Sequence, residues 1–284
     1  MNRIVVTGSS GGTGRSIVQV LRGQGYEVRG IDLAPPIDAD EDTIRLDLRD
    51  AASLNDVLAG CDALIHFGSP PEDNGRSTSE AFHMLAVAGF NVFQAAKNVG
   101  IRRIAWASSI EVYGDLRTHP GLPVTEESPV APPGIYGCSK LLLERLAEDY
   151  CRWHGMAIAG LRLGRIIYDN EAGRAKLKRF VDDEALGHDC LWSYVDARDV
   201  ATACVAWLES DHPGAEIFNL AAANVHQDVS MTELLGRHGY AGMPVGSTEG
   251  EDRTLFSTRK IRDRLGWAER YDWHDILDGT PGDA

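Results

Sequence analysis

Arg3-Ile4-Val5-Val6-Thr7-Gly8-Ser9-Ser10-Gly11-Gly12-Thr13-Gly14 opens the chain, and its reading decides the fold. The run up to Thr7 is rich in β-branched residues, as suits a strand buried in a parallel sheet. The glycine turn follows at once, and Ile17, Val18, Val20 and Leu21 behind it have helical spacing. In a strand–turn–helix unit of this kind Gly8 permits the tight turn, Gly11 lets backbone approach a pyrophosphate, and Gly14 lets helix and strand pack closely. Free N–H groups at the helix start attract the phosphates. The second strand, Glu27 to Ile31, ends in Asp32, about 20 residues onward, where an acidic side chain accepts hydrogen bonds from an adenosine ribose. A carboxylate there repels a 2′-phosphate. With Leu33 and Ala34 next in line and no arginine placed nearby, the sequence predicts NAD rather than NADP.

Tyr136-Gly137-Cys138-Ser139-Lys140 supplies the chemistry. A tyrosine and a lysine four apart on a helix share one face. A phenol titrates near pH ~10, and an adjacent ammonium, helped by a cationic nicotinamide ring, favours the phenolate and suits Tyr136 to general acid–base work. The same spacing is common on solvated helix faces, so its weight comes from the glycine turn upstream.

Together these pieces resemble the extended short-chain dehydrogenase/reductase family, also called the NAD-dependent epimerase/dehydratase family, over nearly the whole chain. Thr7-Gly8-x-x-Gly11-x-x-Gly14 is similar to its opening, Asp47-Leu48 to its adenine-contacting pair, and His66-Phe67-Gly68-Ser69 stands where the family has His-Leu-Ala-Ala. Ser108-Ser109-Ile110-Glu111-Val112-Tyr113-Gly114 resembles its serine and Val-Tyr-Gly signature, and Pro129 to Lys140 its proline-rich approach to Tyr-Gly-x-Ser-Lys. Tyr194 to Val200, Phe218-Asn219-Leu220 and Leu265-Gly266-Trp267 match landmarks of its C-terminal half. The resemblance implies an α/β fold, a Rossmann-like doubly wound parallel sheet with a small C-terminal substrate-binding cap. It also implies a catalytic set of Ser109, Tyr136 and Lys140. Cofactor contacts are implied for Gly8, Gly11, Gly12, Thr13, Gly14, Asp32, Leu33, Asp47, Leu48, Phe67, Gly68, Ser69, Tyr136 and Lys140. Ser109, three residues before Val112, would hold the reacting oxygen with Tyr136, while Ser108 reads as structural.

Departures from the pattern bear on the substrate. Dehydratases of the family have Thr-Asp-Glu before Val-Tyr-Gly, whereas this chain has Ser109-Ile110-Glu111, and Ile110 cannot donate a proton to a departing hydroxyl. Glu111 either contacts substrate or faces solvent. The helix before the fifth strand lacks the family's asparagine, with Leu85 near that place. Nucleotide-sugar enzymes carry Asn-Val-Tyr-Gly-Pro where this chain has Arg165-Ile166-Ile167-Tyr168-Asp169, and about thirty residues separate Arg165 from Tyr194, short for a pocket enclosing a nucleotide. A smaller sugar or sugar acid touching Ser69, Ser109, Ile110, Arg165 and Arg174 is expected, the arginines gripping an anionic group. Arg174 also reads as one of a run of solvated helix charges with Lys176, Lys178 and Arg179. The expected activity is NAD-dependent oxidation of such a substrate; nucleotide-sugar 4-epimerisation with tightly bound NAD is the alternative.

The remaining sequence sets the frame. Residues 1–164 alternate strand and helix, with strands expected at Ala63–Phe67, Arg103–Ala107 and Ala157–Leu161; Glu216–Leu220 returns to the sheet, and 165–193 with 224–284 form the cap. Pro35-Pro36 and Pro132-Pro133 mark loops. Helices 79–99 and 136–153 carry apolar residues on more than one face, including Phe82, Phe90, Leu141 and Leu142, and the resemblance implies a homodimer through them; crowded packing within one chain would also account for them. A net charge of −14 argues against nucleic acid or an anionic membrane as partner. The acidity, with 23 Arg and only 5 Lys, fits a salt-rich habitat or a GC-rich genome equally. The five cysteines have neither disulfide nor metal-ligand spacing, and Met1-Asn2-Arg3 leads straight into a strand, so a cytoplasmic enzyme without a signal peptide is expected.

Overall fold

A computed structural model of the chain describes residues 1–34, 43–70, 77–246 and 254–279; the loop expected at Pro35-Pro36 lies outside them. From the N-terminus run β1 (Arg3–Thr7), α1 (Gly12–Gly23), β2 (Glu27–Asp32), β3 (Thr43–Arg45), α2 (Ala51–Leu58) and β4 (Ala63–His66). They are followed by α3 (Thr78–Phe82), α4 (Ala88–Val99), β5 (Arg103–Ser109), α5 (Ile135–His154) and β6 (Ala157–Leu163). The remainder comprises β7 (Arg165–Ile167), α6 (Glu171–Asp182), β8 (Tyr194–Asp196), α7 (Ala197–Glu209), β9 (Gly214–Leu220), α8 (Met231–Arg237), α9 (Arg259–Leu265) and α10 (Trp273–Asp278).

Seven strands form one parallel sheet in the order β3-β2-β1-β4-β5-β6-β9, and a two-stranded parallel ribbon joins β7 to β8. Strand order reverses between β1 and β4. The loops leaving those two carboxyl ends therefore diverge and open a crevice, the usual ligand position of a doubly wound sheet.

Alternation along β1 sorts its side chains onto opposite faces. Ile4 and Val6 pack with Ile17 and Leu21 of α1 and Trp207 of α7, whereas Val5 joins Leu64, Phe93, Trp106, Leu143 and Tyr150 on the other face. Both faces are covered, so the central strands are apolar over most of their length.

β5 and β6 run on to Ser109 and Leu163, past the apolar stretches that mark them in the sequence. The extension carries Ser108 and Arg162, paired in register and both buried, which a hydropathy pattern reads as a strand end. The expected helix 79–99 is α3, a π-helical turn at His83–Val87, and α4. Two further apolar clusters lie beyond the sheet: Val112, Trp192, Leu234, Tyr240 and Phe256 form one, and Ile167, Leu177, Tyr194, Trp273 and Ile276 the other.

Candidate active site

The glycine turn between β1 and α1 lies at the strand-order reversal. Gly8 has φ +75°, and a Cβ there would stand 2.6 Å from the carbonyl of Phe67 at the end of β4. A Cβ on Gly14 would lie 1.9 Å from Gly8 O, so helix and turn touch backbone to backbone. Gly11 is the N-cap of α1, and no side chain caps the helix start. Its own Cβ would meet only Gly8 O, at 3.3 Å, and would otherwise point into open space.

Beside the turn a hollow of ≈ 320 Å³ is lined by Asp32, Leu33, Asp47, Leu48, Phe67, Gly68 and Ser69 among others. Asp32 is oriented by two backbone donors, Ser10 N to Oδ2 at 2.9 Å and Ala34 N to Oδ1 at 3.0 Å. The Thr7 hydroxyl accepts from Gly68 N at 3.1 Å and lies 2.7 Å from His66 Nδ1. Burial pushes the His66 imidazole down to about 3, so this tie is between neutral groups at any ordinary pH. Asn91 of α4, 8% exposed, donates through Nδ2 to Leu48 O and Arg49 O and so fixes the loop behind Asp47.

The structure adds an arginine that the linear sequence conceals. Arg45 stands in register with Asp32 across β2 and β3, and its Nε donates to Leu33 O at 3.0 Å. The expectation that no arginine lies nearby is corrected by this pairing, because thirteen residues of separation vanish when parallel strands align. Preference for NAD then rests on the Asp32 carboxylate alone. Titration of both dinucleotides is expected to show NAD binding about tenfold tighter, equivalent to ~1.4 kcal/mol; equal affinities would remove Asp32 from that role.

The hollow shares Gly8, Gly11, Phe67 and Ser69 with a larger cleft of ≈ 690 Å³, and the two form one groove. Into the cleft come Ser109 from the end of β5 and Tyr136 and Lys140 from α5. Gly137 makes this approach possible, because a Cβ there would meet Glu111 O at 2.8 Å. Lys140 Nζ donates to Ala107 O at 2.7 Å and Ser69 Oγ at 3.0 Å and lies 5.3 Å from the centre of the Tyr136 ring. Burial lowers the Lys140 ammonium to about 8, and the charge of Glu111 works in the opposite direction. Ser109 is 7% exposed and accepts from Glu111 N at 3.2 Å.

Beneath these groups lies a buried polar network. Arg162 donates to both carboxylate oxygens of Glu144, at 3.0 and 2.7 Å, and Ser108 Oγ donates to the same carboxylate at 2.5 Å. Arg162 Nη1 also donates to the Tyr113 hydroxyl at 2.9 Å, which in turn donates to Asn219 Oδ1 at 2.6 Å. Burial pushes the Tyr113 phenol up to about 12. Ser108 lines the cleft too, but its hydroxyl is engaged in this network, which ties β5, α5, β6 and β9 together.

The far wall consists of Ile110, Glu111, Arg165, Tyr168, Lys176, Asp189 and Cys190. Arg165 Nη2 donates to Leu186 O at 3.1 Å and Asp189 Oδ1 at 3.2 Å, and its guanidinium lies 3.7 Å from the Phe180 ring centre. Arg174 is not part of this lining: it pairs with Asp169 at 3.2 Å. Lys176, two residues on and about 200° further round the helix, lines the cleft instead.

Residues 4–221 match the NAD dependent epimerase/dehydratase family, and the chain belongs to it. It is 33% identical over 170 residues to a uronate dehydrogenase of Pseudomonas putida, a match covering 57% of this chain and 60% of that relative. A UDP-glucose 4-epimerase of Corynebacterium glutamicum is 25% identical over 305 residues, covering 95% of this chain and 91% of the relative. Among solved structures, a short-chain dehydrogenase/reductase superfamily protein of Agrobacterium tumefaciens with bound NAD superposes with a TM-score of 0.76 at 24% identity, over 98% of this chain and 95% of that one. The groove fits such a dinucleotide: the turn excludes side chains at Gly8 and Gly14, the helix start is uncapped, and the Asp32 carboxylate lines the hollow beside them.

Proposed function

We propose that the chain is an NAD-dependent oxidoreductase acting on a hydroxyl or lactol of a free sugar or sugar acid. The observation that carries this reading is that Ser109, Tyr136 and Lys140 converge on the same cleft as the glycine turn, with Arg165 at its far end. Bound NAD supplies the hydride acceptor. Tyr136 takes the proton of the reacting hydroxyl, Ser109 holds that oxygen, and Lys140 stabilises the phenolate and the cofactor ribose. Gly8, Gly11, Gly12, Thr13 and Gly14 would receive the diphosphate, with Asp32 and Leu33 at the adenosine ribose, Asp47 and Leu48 at the adenine, and Phe67, Gly68 and Ser69 lining the passage between.

Arg165 favours a small acidic substrate. Its ties to Leu186 and Asp189 fasten the segment after α6 beside the cleft, which Asp189 and Cys190 line, and this supports a substrate smaller than a nucleotide sugar. Epimerisation of a nucleotide sugar is the second reading, supported by similarity to the Corynebacterium epimerase over 95% of the chain. Free sugars, uronic acids and nucleotide sugars tested with NAD, read by NADH absorbance, separate the two, because an epimerase releases no net NADH. UDP, GDP and dTDP at millimolar concentration are expected neither to inhibit nor to raise the melting temperature, whereas a sugar acid does one or both. Arg165→Ala is expected to raise KM for an acidic substrate more than it lowers kcat, since a remote carboxylate is held alike in ground and transition states. Micromolar inhibition by a nucleoside diphosphate would place the epimerase reading first.

Phe90 of α4 and Leu142 and Trp153 of α5 are 43, 49 and 54% exposed, which supports a two-fold partner on these helices. Among the described residues no helix is long and apolar enough to cross a membrane, and a cytoplasmic location accords with the reduced cysteines.

A further inference from the structure

We propose that Tyr168 is a binding residue for the diphosphate of the dinucleotide, its ring resting on the turn that Gly12 leaves bare and its hydroxyl donating to a phosphate oxygen. The inference rests on the NAD reading above and concerns a residue outside the glycine motif. A Cβ on Gly12 would lie 2.7 Å from both Cε1 and Cζ of Tyr168 and 3.0 Å from Cδ1. Gly12 does not have the positive φ of Gly8, so its lack of a side chain answers to the ring and not to the backbone. The two nearest ring atoms, Cε1 and Cζ, are at the phenol end. The hydroxyl oxygen, one bond beyond Cζ, is thereby carried to the first turn of α1, where the N–H groups await an anion and no side chain caps them.

Tyr168 is held in this place by its own backbone. A Cβ on Gly173 of α6 would fall 1.9 Å from Tyr168 O, and Asn170 N donates to the same oxygen at 2.8 Å. The ring therefore projects from a pinned residue directly after β7, half-buried, and both Tyr168 and Gly12 line the cleft. A phenol O–H directed at a phosphate makes a charge-assisted hydrogen bond, stronger than one between neutral groups.

Calorimetric titration of NAD, ADP-ribose and AMP against the parent chain, Tyr168→Phe and Gly12→Ala tests the proposal. Tyr168→Phe keeps the ring and is expected to weaken NAD and ADP-ribose by roughly tenfold. Tyr168 lines the cleft of Tyr136 and Lys140 and not the hollow of Asp32, so the phosphate it would reach is the one on the nicotinamide side; AMP lacks that phosphate and is expected to bind the parent and Tyr168→Phe alike, an outcome that general disturbance of the fold would not give. Gly12→Ala displaces the ring and is expected to weaken NAD at least as much. Unchanged NAD and ADP-ribose affinities in Tyr168→Phe would overturn the proposal while leaving the NAD reading intact. Failure of the parent chain to bind NAD or ADP-ribose would overturn both.

Discussion

Tyr136→Phe is expected to lower turnover by ~10²–10⁴-fold, the usual loss when general acid–base help is removed, while affinity for NAD stays nearly unchanged. The phenol ring remains and continues to face Lys140 Nζ, which is anchored independently on Ala107 O and Ser69 Oγ. Only the proposed proton acceptor disappears. Lys140→Met serves as the contrast, because it removes the charge that favours phenolate and the group assigned to the ribose, so both turnover and cofactor affinity fall. Steady-state kinetics paired with NAD titration distinguishes the two variants. Retention of most activity by Tyr136→Phe would show that the proton leaves by another route.

The second large effect is on stability. Arg162 and Glu144 have side chains 6 and 5% exposed and share two hydrogen bonds. Removing one partner of such a buried pair strands the other charge and costs about 3–5 kcal/mol. That is a large part of the ~5–15 kcal/mol that holds a typical protein folded. Glu144→Ala is therefore expected to unfold at much lower denaturant concentration than the parent. Replacing both partners, as Glu144→Leu with Arg162→Met, is expected to recover most of the loss, since a buried pair and a well-packed apolar pair are often close in stability. Denaturant unfolding of the single and double variants gives the cycle; a single variant as stable as the parent would show that Arg162 finds other partners as good.

The architecture could be read from the sequence because the glycine turn joins a local conformational demand to a ligand. The β-branched strand, the turn and the helix behind it each follow from short-range sterics, and the strand–helix alternation then requires a parallel sheet. Where buried polar residues enter, that legibility stops. Ser108 and Arg162 look like strand ends, and only the folded arrangement, with Glu144 reaching them from α5, explains their burial. Arg45 escaped notice because its neighbour Asp32 belongs to another strand. Arg174 and Lys176 differ by two positions in one helix, and sequence without helical phase cannot say which of them lines the cleft. Nothing in the motif at Gly12 points forward to Tyr168, since the link is a contact between the first helix and the end of β7.

The short ribbon of β7 and β8 has a consequence for how this protein could change. Arg165 pairs with Tyr194 and Ile167 with Asp196 in parallel, so the segment between the two strands, α6 and the turns after it, is a crossover whose two ends are fixed by the ribbon. Closing a loop of twice the length costs only about 0.6 kcal/mol more. Insertions here can enlarge or reshape the chamber beyond Arg165 while the sheet, the glycine turn and α5 stay in register. Evolvability is thus concentrated at one end of the groove, and new substrates can be explored there at little cost to the framework that holds the cofactor.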